Sequence, residues 1–173
     1  MTNLTFLVVL AYLLMSPAYA QNALREYLHQ DKLSEAGIKQ AISVNESPQD
    51  ATTRAYKGLF ESMLAEYAFL PTTKWKWFSK GTSNIDEAVA SSSDNAEIRY
   101  IRLLVSLNVP SFLGYGQNIE EDLRTFEKEI GGIDKKWSHK FIASLLESKY
   151  IEEGEKQKLK ELHDRTLSFS LIN

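Results

Sequence analysis

Cysteine is absent from the 173-residue chain. That excludes disulfides, thiolate metal sites and a cysteine nucleophile, and with them the lipid-bearing N-terminal cysteine of a bacterial lipoprotein. Histidine occurs only three times, at His29, His139 and His163, far apart in sequence and without the HExxH spacing of a zinc helix. Glycine and proline are sparse, at eight and four residues. Neither a Gly-x-Ser-x-Gly elbow nor a glycine-rich phosphate loop is present. An excess of one charge is also missing. The formal net charge is −3, which supplies no chain-wide electrostatic reason to bind nucleic acid or an anionic membrane. Alternating apolar and polar runs, the signature of strands, do not occur. No low-complexity tract or long linker divides the chain.

What is present begins with a leader. Leu4 to Met15 is an apolar run of a length suited to a secretory h-region and short for a membrane span. Ser16-Pro17 breaks it, and Ala18-Tyr19-Ala20 has the small-x-small pattern of a signal-peptidase site. Residues 1–20 are therefore expected to be a signal peptide cleaved after Ala20, leaving 153 of the 173 residues. The expected location is the periplasm or the exterior, with no stable membrane association once the leader is gone. A mature chain of that length buries a core large enough to fold without disulfides.

The remainder has helical periodicity throughout. Tyr56, Leu59, Phe60, Met63 and Tyr67 recur at three- and four-residue steps, as do Ile119, Leu123, Phe126 and Ile130, and again Trp137, Phe141 and Leu145. Leu159 and Leu162 line one side of a charged segment from Glu152 to Arg165. Ser47-Pro48-Gln49-Asp50 resembles a helix start with a serine cap. Asn118-Ile119-Glu120-Glu121 resembles a capping box. Gly131-Gly132 ends one helix, and Asp134 is placed to cap the next. The expected fold is all-α, with about eight antiparallel helices near 22–30, 32–44, 49–69, 73–91, 95–108, 118–130, 135–148 and 152–166, in a single domain from 21 to 173.

The stretch TTKWKWFSKG (72–81) decides how the tryptophans are read. On a helix Trp75 and Trp77 lie about 160° apart and cannot form one stacking platform. Trp77 and Phe78 fall on the apolar stripe with Gly81, Ile85, Ala88 and Val89, so both are expected in the core. Trp75 falls at the far margin, where the polar arc begins, and stays open between covering the helix start and serving as a partly exposed contact residue. Gly81 and Ala88, seven residues apart, leave room for a second helix to approach closely.

The segment NIDEAVASSSDNAEIRYIRLL (84–104) resembles the junction between successive tetratricopeptide repeats. Gly81 and Ala88 match the two small positions of the second repeat helix, and Asp94-Asn95-Ala96-Glu97 matches the turn and the start of the next one. The wider pattern of EIRYIRLL followed by NVPSFLGYGQNIEED is similar to a group of small, signal-bearing bacterial proteins to which no activity is assigned. The repeat resemblance implies helical hairpins stacked in an array and a protein- or peptide-binding surface. The second resemblance implies a Gram-negative secreted protein. Neither brings catalytic residues with it.

The loop NVPSFLGYGQN (108–118) is rich in large apolar side chains for a connection. Phe112 and Leu113 are expected to tuck inward and seal one end of the stack. Should a partner surface exist, Phe112, Tyr115 and Trp75 are its candidate residues. Three functions stay open on these grounds. The first is a non-enzymatic protein- or peptide-interaction module. The second is a cell-wall glycan-acting enzyme using a single glutamate, with Glu61-Ser62 and Glu147-Ser148 as superficial matches, both glutamates being expected on helix surfaces. The third is a carrier of an apolar small molecule, which requires an enclosed cavity. No pattern asks for a metal or cofactor.

Overall fold

The computed structural model describes residues 17–30, 33–48, 50–148 and 150–168. Most of the expected leader, Leu4 to Met15, lies outside them. Among the described residues there are eight α-helices, three short 3-10 turns and no strand, so the fold is all-α. The helices are α1 (Pro17–Leu28), α2 (Glu35–Val44), α3 (Ala51–Tyr67), α4 (Pro71–Ser91), α5 (Ala96–Asn108), α6 (Ile119–Glu129), α7 (Lys135–Leu146) and α8 (Glu153–Ser168). The chain divides into two compact units, with the boundary between Ser91 and Ser92.

In the first unit α3 and α4 form an antiparallel hairpin across the three-residue turn 68–70. The pairing Arg54–Glu87 near one end and Glu61–Lys80 further along shows the opposed directions. Gly58 and Gly81 make the crossing possible. A Cβ on either would collide with the other's carbonyl oxygen, so the backbones touch where no side chain fits. This is the close approach that the Gly81 and Ala88 spacing implied. Tyr56, Leu59, Phe60, Phe78, Ile85, Ala88 and Val89 are buried. Each large apolar side chain taken from water in this way stabilises the fold by about 1.5–3 kcal/mol. Helix α1 adds Leu24 to the core and sets Tyr27 edge-on to Phe60, 5.6 Å between ring centroids. Helix α2 adds Ile38 and Ala41.

The start of α3 departs from expectation. The cap is Asp50, not Ser47. Its carboxylate accepts from the Thr53 amide at 2.8 Å while the Thr53 hydroxyl accepts from the Asp50 amide, a complete capping box. A carboxylate at a helix N-terminus also meets the positive end of the peptide dipoles, an advantage that serine lacks.

In the second unit α5 is buried on almost every side, through Ile98, Tyr100, Ile101, Leu103, Val105 and Leu107. Helix α6 covers it with Leu123 and Phe126, and α7 contributes Trp137, Phe141, Ile142 and Leu145. Tyr100 stacks on Phe141 with centroids 4.2 Å apart and donates its hydroxyl to Ser144. Helix α8 packs on α7 through Leu159 and Leu162. Asn95 caps α5 and Asp134 caps α7. Asn118 makes no cap bond. A 3-10 turn, Tyr115–Asn118, runs straight into α6, which leaves Asn118 outside the extended conformation that a capping side chain needs.

Candidate functional site

The connection from α5 to α6 shapes the site. It is two 3-10 turns, Ser111–Leu113 and Tyr115–Asn118, hinged at Gly114. Gly114 has φ 69°, a left-handed conformation that a side chain would strain. Both ends of the connection are anchored. The Ser106 hydroxyl donates to the Tyr115 carbonyl at 3.2 Å. Deeper in the unit, Arg102 holds Asp122 with two bonds, Nε to Oδ2 at 2.7 Å and a terminal nitrogen to Oδ1 at 2.6 Å. Arg99 reaches the same Asp122 at 2.7 Å, Glu121 at 2.8 Å and the Ser93 carbonyl at 2.7 Å. Both arginines are buried, and Asp122 has no exposed surface. A bidentate guanidinium–carboxylate pair fixes distance and orientation together, so α5 and α6 are locked directly behind the loop.

The anchored loop leaves an open groove of about 780 Å³, lined by Ser106 to Pro110, Gly114, Gly116, Gln117, Ile119 and Tyr150. No side chain in that lining carries a charge. Asn108 donates to the Leu104 carbonyl of its own helix at 2.7 Å, leaving its amide oxygen as an acceptor toward the groove side. Tyr150 is exposed and also borders a smaller hollow with Leu104, Leu107, Asn108, Ser144 and Glu147. The two hollows share Leu107, Asn108 and Tyr150 in their linings.

The three residues singled out from sequence meet different fates. Phe112 is 84% exposed, which overturns the expectation that it tucks inward. The 3-10 turn Ser111–Leu113 carries it on the outside of the loop. Its neighbour Leu113 is half-buried. Tyr115 is half-buried beside the groove, its carbonyl taken by Ser106. Trp75, left open by the helix projection, is 58% exposed and belongs to the first unit. Trp77 is half-buried instead of core. It lies on the margin of the apolar stripe, where the Lys80 ammonium covers its ring at 5.4 Å, a cation–π contact.

Buried charge is what the sequence reading missed. Glu61 was expected on a helix surface and is fully buried. Helix α4 brings two partners to it: Asn84 donates to one carboxylate oxygen at 2.7 Å, and the Lys80 ammonium stands 2.9 Å from the other. Arg99 and Arg102 carried a readable signal, since both fall among the apolar positions of EIRYIRLL. On Glu127 of α6 one carboxylate oxygen is buried without a hydrogen-bond partner. Burial raises the pKa of that carboxyl, and the nearby Glu155 raises it further, against the opposing pull of Lys158 and Arg165. The structure also brings His139 of α7 and His163 of α8 together, rings 5.3 Å apart. Among the described residues no group of three or more histidines and carboxylates is arranged to hold a metal ion, and no helix is long and apolar enough to cross a membrane. No family model, curated protein or solved structure matches the chain.

Proposed function

We propose that the protein is an exported, non-enzymatic interaction module that binds an uncharged peptide segment of another protein along the groove beside Tyr150. One observation carries this reading: the groove is built on a locked helix pair, has a charge-free lining, and is bordered by the exposed Tyr150 ring. Amide side chains such as Asn108 and Gln117 both donate and accept, and so match a peptide backbone. Phosphate or carboxylate ligands call for arginine or lysine, neither of which lines the groove. Exposed Tyr150 supplies a rigid ring of the kind that dominates peptide and protein recognition, while Phe112, exposed on the same loop, is outside the groove lining. The repeat-like junction at 84–104 agrees with such a role, and the leader at 1–20 would deliver the module to the periplasm or beyond.

The enzyme and carrier readings have less support. Glu61 is buried, but its carboxylate is taken by Lys80 and Asn84, and it lines none of the hollows described above. Glu147 is exposed at the C-cap of α7, without the buried setting a general acid needs. The groove is open, whereas a carrier encloses its cargo.

A pulldown from periplasmic extract, comparing the native chain with Tyr150→Ala and Gln117→Ala variants, tests the proposal. A protein retained by the native chain and lost with both variants is the expected result. Equal retention by the variants removes the groove from consideration, and no specific partner at all defeats the module.

A further inference from the structure

The turn between α3 and α4 carries a cluster of apolar side chains directed at solvent. Phe69 is 94% exposed and Leu70 55% exposed. Since α3 ends at Tyr67 and α4 begins at Pro71, these two residues form the outermost point of the hairpin. Behind them stand two more exposed rings, Tyr67 at the last position of α3 and Trp75 in the second turn of α4. At a rise of 1.5 Å per residue, Trp75 lies about 6 Å back from the tip. Both rings are held in place. The Tyr67 hydroxyl donates to the Leu33 carbonyl at 3.2 Å, and the Trp75 indole rests on the buried Phe78 ring with centroids 6.0 Å apart. Lys74 and Lys76 flank Trp75 and are exposed, and Glu66 on the last turn of α3 is the opposing charge nearby.

The order along the hairpin axis is apolar tip, then amphipathic rings, with lysines at the level of the rings. A lipid surface has the same order: acyl chains, then the interfacial layer favoured by Trp and Tyr, then headgroups. We propose that the α3–α4 tip docks the protein reversibly on an anionic membrane surface. Phe69 and Leu70 enter the acyl layer, Tyr67 and Trp75 sit among the headgroups, and Lys74 and Lys76 face the lipid phosphates.

A deformable bilayer suits this feature better than a protein. The tip is a convex projection, whereas apolar residues that anchor protein complexes enter preformed pockets or line grooves. The near-balanced charge of the whole chain does not oppose docking. At physiological salt, charges more than about 8 Å from the surface are screened, so the membrane responds to the lysines at the tip. A lysine near an anionic bilayer raises partitioning about fivefold, and one large apolar side chain raises it about tenfold or more. Two of each give a weak, reversible association. The feature lies in the first unit and is independent of the groove beside Tyr150.

The test is partitioning of the exported chain onto vesicles of phosphatidylglycerol and phosphatidylcholine, read by flotation and by tryptophan emission. The native chain is expected to float with anionic vesicles, to lose most of that binding in high salt or on phosphatidylcholine alone, and to shift its emission to the blue. Trp75→Phe is expected to abolish the emission shift while largely preserving flotation, since Trp77 is half-buried and Trp137 is buried. Phe69→Asp and Leu70→Asp change exposed turn residues and leave the helical circular dichroism intact, while lowering partitioning at least about tenfold each. Unchanged flotation of these variants overturns the proposal, and so does failure of the native chain to bind anionic vesicles at low salt. Loss of a specific protein partner by the tip variants, without vesicle binding by the native chain, reassigns the tip to a protein contact and equally overturns it.

Discussion

Asp122 is the carboxylate on which two buried guanidinium groups converge, and its removal would leave both without their shared counter-charge. Asp122→Ala is expected to lower stability by about 3–5 kcal/mol in urea unfolding, because breaking one side of a buried ion pair strands the other. Glu127 behaves in the opposite sense. Its raised pKa means that the folded protein holds that proton more tightly than the unfolded chain. The stability it contributes is therefore complete below the ordinary glutamate pKa of about 4.3 and is lost as pH rises through the folded value. Glu127→Gln is expected to raise the urea midpoint at neutral pH, with the advantage disappearing below about pH 4. Unfolding curves at several pH values check both the size and the sign. At this scale sequence and structure agree unevenly. Phe78 was legible as core because helical projection depends only on its own helix. Glu61 was not, because its burial depends on Lys80 and Asn84 arriving from the next helix.

Helix by helix, periodicity was a sufficient guide. The buried residues of α7 are those spaced three and four apart in sequence, and α6 places Leu123 and Phe126 inside as its pattern required. Hairpin α3–α4 adds a stricter condition at Gly81, where a methyl group would press on the Gly58 carbonyl and on Ser62. Gly81→Ala is expected to destabilise by about 1–3 kcal/mol despite the better helix propensity of alanine, since backbone cannot move aside as a side-chain tip can. Thermal denaturation of that single variant decides it, and an unchanged midpoint would show that the crossing is looser than the geometry described here. Caps were less legible than helix interiors. Asp50, Asn95 and Asp134 cap their helices, while Ser47 and Asn118 do not. Several polar residues near a helix start can each satisfy the first amides, and only the path of the entering chain selects one.

For the whole molecule, the proposed export has a direct test. The expected cleavage after Ala20 falls in the first turn of α1, so processing would shorten that helix to Gln21–Leu28 while sparing Leu24 and Tyr27, which meet the core. Mass spectrometry of the protein recovered from the periplasm is expected to find Gln21 as the first residue, and an intact leader there would refute the assignment. An all-α fold was determined by the sequence alone, because helical periodicity, caps and the lack of alternating runs are local properties of consecutive residues. So was the absence of disulfide and thiolate chemistry. The tertiary structure alone decided where charge is buried, why Phe112 and Phe69 face solvent, and how Ser106, Gln117 and Tyr150 meet around one groove. Those outcomes depend on which helix packs against which, and a side chain's neighbours across a helix interface are not written in the residues beside it.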